Sequence, residues 1–251
     1  MILLDALDND ERAQEFRKDR LDKIDSKEVW NPMSNGPYCV VHWLPISKGA
    51  LLKPDNLKSM DVSEFIKMER ARRDMWVERI NLDGVRFFWN RGDEVIEESV
   101  PNDAKSIRRY FWNAQIFHSG ALEIACALSF RVDSEKVKWL YSADVIEEVW
   151  KLLDGLKNGF EKYIPPFDVT TRIIVGISLL RVKNYRFPSS SHTPSDRDKI
   201  IMPGMLIENL QEVQNMEDIE RPIFDMLWRS FGLPECDHYD ENGRRIVSNV
   251  R

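Results

Sequence analysis

Hydrophobic positions recur at helical spacing in three parts of the chain. After an acidic capping box, a broad apolar stripe predicts a helix over residues 9–25. A longer stripe that ends at two prolines predicts a helix over about 145–164. A short apolar segment between a proline and a glycine predicts a third helix, at 222–231. These helices lie at the start, the middle and the end of the sequence.

Other apolar runs are β-rich and too short for helices. Such runs predict strands at about 38–46, 78–90, 110–128 and 172–182. We therefore expect an α+β fold, in which a mainly antiparallel sheet is covered on one side by the helix at about 145–164 and flanked by the N- and C-terminal helices. No internal boundary interrupts the pattern. Residues 1–251 are expected to form a single domain, with a flexible loop at about 186–199.

Composition narrows the class of protein. Of the 251 residues, 43% are apolar, which is enough for a real core. The chain has 36 basic and 42 acidic residues, which gives a net charge of −6. This charge argues against a protein that binds nucleic acid over its whole surface, but it is compatible with a local basic patch. No apolar run has membrane-spanning length, and the three cysteines contain no CxxC pair. We expect a cytoplasmic protein with no membrane partner.

One hairpin offers a candidate catalytic pair. The dipeptide Ser119-Gly120 between two β-rich runs is typical of a two-residue hairpin loop. In that register His118 faces Ala121, and His118 and Glu123 become diagonal neighbours on one face. A carboxylate that orients an imidazole is part of a catalytic dyad, as a hydrolase or nuclease would use. A pair that only stabilises the hairpin is the plainer interpretation.

A polar row on the second predicted strand is a candidate binding site. Arg79, Asn81 and Asp83 alternate along one strand face. With Arg17 and Arg20 from the first helix, they could form an anion pocket. An arginine–carboxylate network that locks the helix to the sheet explains the same residues. The row also gives the hydrolase alternative a second set of candidate groups.

Basic clusters supply a third set of candidates. Arg70, Arg72 and Arg73, with Arg79 further along, would bind nucleic acid directly if they gathered on one folded face. The segment 108–112, two arginines followed by three aromatic residues, has the composition of a stacking platform for single strands. It also suits the start of a packed β-strand. The sequence leaves both interpretations open.

No cofactor or metal is expected, because the usual sequence marks are missing. The chain has no phosphate-binding glycine loop, no HExxH or GxSxG motif, and no cysteine–histidine set with zinc spacing. Of the other histidines, His42 lies in the first predicted strand and is expected to be a buried, hydrogen-bonded core residue.

The segments together resemble the C-terminal region of prokaryotic Schlafen-AlbA-domain proteins, which are often labelled ATP-binding. The resemblance runs from about residue 11 to 245 and rests on these positions: Arg12, Phe16, Arg17, Arg20, Ile24, Met33, Gly36, Pro37, Val41, His42, Pro45, Arg79, Asn81, Asp83, Gly84, Gln115, Phe117, Gly120, Glu123, Arg221, Pro222, Phe224, Asp225, Trp228, Gly232, Tyr239 and Asp240.

This resemblance implies an accessory module. In that family the AlbA-type domain lies N-terminal and is credited with the nucleic-acid or nucleotide work, whereas the region that follows has no assigned chemistry. We therefore expect a non-catalytic binding module, whose partner is a protein or the missing N-terminal domain, with nucleic acid as a further partner. The docking patch is expected near the apolar N-terminus at residues 2–7.

Overall fold

The computed structural model describes most of the sheet-forming chain and both of its flanking helices. The described residues are 10–26, 28, 36–46, 76–81, 83–89, 94–100, 104–110, 112–142, 145–146, 149–150, 153, 172–187, 194–209 and 217–246. Two helices have defined bounds among them, α1 (Asp10–Asp25) and α2 (Glu217–Arg229). Neither is long and apolar enough to cross a membrane.

The strands follow in chain order. They are β1 (Tyr38–Ile46), β2 (Trp76–Asn81), β3 (Gly84–Trp89), β4 (Glu94–Val100), β5 (Ala104–Tyr110), β6 (Trp112–Phe117), β7 (Leu122–Ala127), β8 (Phe130–Val132), β9 (Lys138–Leu140), β10 (Arg172–Leu180), β11 (Tyr185–Arg186), β12 (Lys199–Ile201) and β13 (Met205–Ile207).

These strands form two sheets. The first has eight strands in the order β12-β10-β1-β7-β6-β3-β2, and β13 also pairs with β10 beside β12. The second has five strands in the order β11-β9-β8-β5-β4. Every described pair is antiparallel except β11 with β9. The α+β class with mainly antiparallel sheets is confirmed.

The two faces of the first sheet pack against different parts of the molecule. One face carries alternate apolar residues of β1, β7 and β10, and it packs in the main core with the second sheet and α2. The opposite face lies beneath α1, where the helix residues Leu21 and Ile24 contact one apolar cluster and Ala13 contacts another. Strands buried on both faces read as continuous apolar runs, which is why β1 and β10 were conspicuous in the sequence.

The expected long helix is not supported as a cover for the sheet. Within 145–164, the structure describes Val145, Ile146, Val149, Trp150 and Leu153, which are helical, and the remaining positions lie outside the described residues. Four of these side chains are buried in the main core, and Trp150 packs against it. The helix that does cover a face of the first sheet is α1, on the side away from that core.

Of the predicted strands, 78–90 is in fact a hairpin, whereas the hairpin predicted within 110–128 is confirmed as β6 and β7. The stretch 78–90 is divided into β2 and β3, and Gly84 pairs with Asn81. An added Cβ at Gly84 would lie only 1.9 Å from the carbonyl oxygen of Ile116, so glycine is required there. The run 110–128 begins in the second sheet with β5 and enters the first sheet at β6.

The predicted flexible loop is partly described. Its positions 188–193 lie outside the described residues, but both flanks are hydrogen-bonded. The amide of Asn184 donates to the carbonyl of Ser195 at 2.8 Å, and the amide of Ser195 donates to the carbonyl of Tyr185 at 2.8 Å. The loop therefore leaves and rejoins the fold at one fixed point.

Candidate functional site

A row of polar residues crosses the α1-facing side of the first sheet. His42 of β1 lies directly opposite Gly176 of β10 on one side and Glu123 of β7 on the other. Glu123 in turn lies opposite Gln115 of β6, and Gln115 opposite Arg86 of β3. Because directly opposed residues in a sheet share a face, all five belong to one line across five strands. We call this line the polar row.

The polar row separates two apolar clusters. On one side lie Tyr38, Val40 and Ala125, and on the other lie Leu44 and Ala121. The residues two positions before and after His42 on β1, and before and after Glu123 on β7, are thus apolar, which follows from the two-residue period of a strand. A continuous apolar face would hold α1 equally well, so the polar row demands its own explanation.

Arg17 of α1 anchors one end of the polar row. Its guanidinium donates to the carbonyl oxygen of Met202 at 2.7 Å, to that of Ile177 at 2.9 Å and to Oγ of Ser178 at 2.9 Å. An added Cβ on Gly176 would lie 2.5 Å from the guanidinium carbon, so the missing side chain is what lets Arg17 lie against the sheet. Arg17 is only 2% exposed.

Arg20, one helical turn further on, meets the centre of the polar row. Its Nε and Nη2 atoms donate to the two carboxylate oxygens of Glu123, both at 2.8 Å. This is the two-bond geometry that guanidinium and carboxylate groups favour. The guanidinium also lies 5.0 Å from the centre of the Phe117 ring. Glu123 is 1% exposed, so this is a buried ion pair.

His42 completes the contacts of Glu123. Its Nε2 lies 3.3 Å from Oε2 of Glu123, and the ring is fully buried. The neutral tautomer with a proton on Nε2 donates to the carboxylate. Nδ1 then has no hydrogen-bond partner, and neither does Nε of Arg17. Each such buried atom costs about 1–3 kcal/mol.

Electrostatics fix the charge states of these groups. Burial alone would raise the pKa of Glu123, but the charge and hydrogen bonds of Arg20 more than offset it, and the pKa falls to about 2. Burial also opposes the charge on Arg20, yet the Glu123 carboxylate raises its pKa. Burial lowers the pKa of His42, and burial lowers that of Arg17 to about 10. At neutral pH the ion pair is charged and His42 is neutral.

The polar row is therefore a closed network rather than an open cleft. Both oxygens of Glu123 are occupied. Three cavities around α2 and β12 are lined by described residues, and none of these three is lined by a residue of the polar row. Within the described ranges, no group of three or more His, Cys, Asp or Glu side chains could hold a metal ion. What the arrangement does is hold α1 at one position on the sheet.

The predicted pairing of His118 with Glu123 does not form. The hairpin loop has three residues, 118–120, closed by a hydrogen bond from the Phe117 amide to the Ala121 carbonyl. Gly120 adopts φ 80°, as the last residue of such a loop requires. Glu123 consequently lies opposite Gln115 rather than Ile116. The register differs by one residue, and His118 stays at the half-exposed tip.

The other predicted site residues are only partly brought together. Asp83 is in the turn between β2 and β3 rather than on a strand face, and its carbonyl accepts the His118 amide at 2.9 Å, so the two hairpin tips are joined. Arg79 lies opposite Arg86 at the far end of the polar row. Asn81 ends β2.

The basic cluster is untested. Arg70, Arg72 and Arg73 lie outside the described residues, as does the apolar N-terminus at 2–7. The helix-to-sheet network that was predicted as the plainer alternative has its two arginines, Arg17 and Arg20, in place. Its carboxylate contact is Glu123, with Asp83 acting on Arg20 only through its charge.

Sequence reasoning missed the residues that complete the polar row. These residues lie on β1, β6 and β10, which are far apart in sequence, and only the strand register aligns them. They are His42, Gln115, Gly176 and Ser178. One signal was available: a histidine and a glycine interrupt two otherwise apolar strands. Several residues that carry the family resemblance meet in this network, among them Arg17, Arg20, His42, Gln115 and Glu123.

No protein-family model, curated protein or solved structure matches this chain.

Proposed function

We propose that the chain is a non-catalytic binding module that acts through a protein partner. The observation that carries this proposal is the state of Glu123. In its first form the hydrolase alternative needs this carboxylate beside His118, but Glu123 is buried and is bonded through both oxygens to Arg20, with His42 as its further neighbour. A group committed in this way holds the fold together and has no free electron pair facing a substrate. In its second form the hydrolase alternative uses the row of Arg79, Asn81 and Asp83, of which Asp83 lies in the turn before β3.

The resemblance to the C-terminal region of Schlafen-AlbA-domain proteins suggests which partner the module binds. On that basis the partner is an AlbA-type domain, supplied in the same polypeptide or as a separate subunit. Support comes from the network itself, because residues that carry the resemblance lock α1 onto the sheet and give the first described element a fixed position. We also propose a cytoplasmic location, which is supported by Cys39, Cys126 and Cys236, all free thiols.

Direct mixing tests the partner. Where the genome encodes an AlbA-type protein in an adjacent reading frame, that protein is purified, and its association with this chain is measured by sedimentation velocity. We expect a 1:1 complex at micromolar concentrations, as for an interface of standard size. An adjacent AlbA-type protein that stays separate at tens of micromolar contradicts the partner assignment.

The hydrolase alternative is tested with two variants of the same chain. Nuclease and phosphodiesterase assays with Mg²⁺ compare the parent protein with His118→Ala, which alters only the hairpin tip, and with Arg197→Gln as a control at a well-exposed site. We expect no turnover from any of the three. Turnover that His118→Ala abolishes and Arg197→Gln retains would establish the hydrolase in place of the module.

A further inference from the structure

The outer face of the second sheet carries a tryptophan between two arginines. In register, Trp139 of β9 lies opposite Arg131 of β8 and opposite Arg186 of β11. The neighbouring residues Phe130 and Leu140 are buried in the main core. Because successive residues of a strand point to opposite faces, Arg131 and Trp139 are on the side away from that core. We call these three residues the Arg–Trp–Arg face.

Contacts hold the tryptophan in one orientation. The guanidinium carbons of Arg131 and Arg186 lie 6.0 Å and 5.7 Å from the centre of the indole ring. The indole Nε1 donates to Oδ2 of Asp133 at 2.8 Å. The other oxygen of Asp133 accepts the backbone amides of Glu135 and Val137 at 3.0 and 2.8 Å. The indole ring is therefore fixed by the turn at Asp133, in which both oxygens of the Asp133 carboxylate accept hydrogen bonds.

The two arginines are not neutralised by this turn. Among the described residues, neither guanidinium makes a hydrogen bond or a close ion pair, and Nε of Arg186 has no partner. Asp133 influences Arg131 only through its charge. Across β9, the two positive charges are separated by two strand spacings, about 10 Å. Such a surface is complementary to a chain of negative charges.

We propose that the Arg–Trp–Arg face binds single-stranded nucleic acid. The arginines take phosphate oxygens, and their guanidinium planes, which lie over the indole ring, provide stacking surfaces for bases. The next strand, β5, ends with Arg108, Arg109 and Tyr110, which begin the basic and aromatic segment noted in the sequence, and its Ser106 lies opposite Arg131. This activity goes beyond the proposed binding module because it requires no protein partner.

The shape of the face favours nucleic acid over an acidic peptide. Peptides bind to sheets mainly by pairing with an edge strand or by filling pockets. Here the tryptophan belongs to β9, which has a neighbour on each side. An aromatic and basic row in the middle of a sheet suits bases and phosphates.

Fluorescence anisotropy with labelled oligo-dT and oligo-U of about 20 nucleotides tests this on the full chain, with salt varied from about 25 to 200 mM. We expect binding at low salt that weakens steeply as salt rises. The Arg131→Gln/Arg186→Gln variant should bind at least ~10-fold more weakly and lower the logarithmic salt slope by about 1.4, the value for two lost phosphate contacts.

Matched variants separate this effect from net charge and from folding. Arg197→Gln/Arg244→Gln removes the same charge from exposed positions elsewhere and should stay within about 2-fold of the parent. Trp139→Ala should lose ~10-fold or more, and Trp139→Phe, which keeps a stacking ring, should retain most of the affinity. Thermal unfolding confirms that each variant is folded.

Several results would overturn the proposal. The first is the absence of any anisotropy change at the lowest salt. The second is an equal loss of oligonucleotide affinity in Arg131→Gln/Arg186→Gln and in Arg197→Gln/Arg244→Gln. The third is full affinity in a folded Trp139→Ala variant. Tighter binding of a duplex than of the single strands would also overturn it. If poly-glutamate competes as well as the oligonucleotide does, the face recognises acidic protein segments instead. None of these results depends on the protein partner, so they test this surface separately from the binding module.

Discussion

Individual side chains in the polar row do different kinds of work. Arg20 and Glu123 form a charged pair, Gly176 makes room for a guanidinium, and His42 is held neutral between opposite charges. None of these roles follows from residue type alone. The sequence correctly predicts that His42 is a core residue, yet it gives no sign that Glu123 is the partner, because that contact joins positions 81 residues apart.

The buried histidine predicts a pH dependence of stability. Burial lowers the pKa of folded His42 below its ordinary value of 6.5, so the unfolded chain takes up a proton that the folded chain resists. Stability should therefore fall as the pH drops below about 6.5, by at most about 1.4 kcal/mol per pH unit from this group. Urea unfolding between pH 7 and pH 5 measures that slope.

The control is His42→Leu, which removes the titrating ring. The free energy of unfolding of this variant should fall less steeply between pH 7 and 5 than that of the parent. Burial also lowers the pKa of His238, but this effect is the same in both chains. Below pH 4.5 both should still lose stability, because protonation of Glu123 breaks the pair with Arg20. Parallel profiles between pH 7 and 5 would contradict the assignment of His42.

Elements differ in how well the sequence predicts them. The pattern predicts α1, β1 and β10 within a few residues, because β1 and β10 are long and mostly apolar and α1 has a capping box before its apolar stripe, although α1 also buries Arg17 and Arg20. It misses most of the second sheet, whose strands are either three residues or shorter or, like β4 and β5, rich in charged residues. The polar row was missed because the hairpin loop at 118–120 is one residue longer than the two-residue loop that the sequence predicted.

The C-terminal element has its own buried pair. Glu220 of α2 is fully buried, and both of its carboxylate oxygens accept hydrogen bonds from the Arg245 guanidinium, one of them from Nε at 3.0 Å. Arg245→Met should therefore destabilise the protein by about 3–5 kcal/mol, since it leaves a buried carboxylate uncompensated.

Arg244→Met is the matched control, because the neighbouring Arg244 is exposed and the change should cost less than about 0.5 kcal/mol. Denaturant unfolding of the two variants gives the comparison directly. Equal midpoints would mean that the Glu220–Arg245 pair contributes nothing to the stability of the fold.

As a whole, the molecule is a scaffold of two sheets with three polar features that have separate roles. The polar row locks α1 to the first sheet, the Glu220–Arg245 pair holds the C-terminal segment to α2, and the Arg–Trp–Arg face is left on the outside of the second sheet. Among the described residues, the two buried ion pairs join elements of the fold, and the guanidiniums of Arg131 and Arg186 lie over the Trp139 ring. This division supports the proposal of a binding module.

A double-mutant cycle between Arg20 and Glu123, measured by urea unfolding, tests this most directly. If the pair is a structural lock, Arg20→Met and Glu123→Gln should each cost about 3–5 kcal/mol, and Arg20→Met/Glu123→Gln should cost much less than the sum. Additive losses, or single losses below about 1 kcal/mol, would show that Glu123 is not held for the fold and would reopen a catalytic role for it.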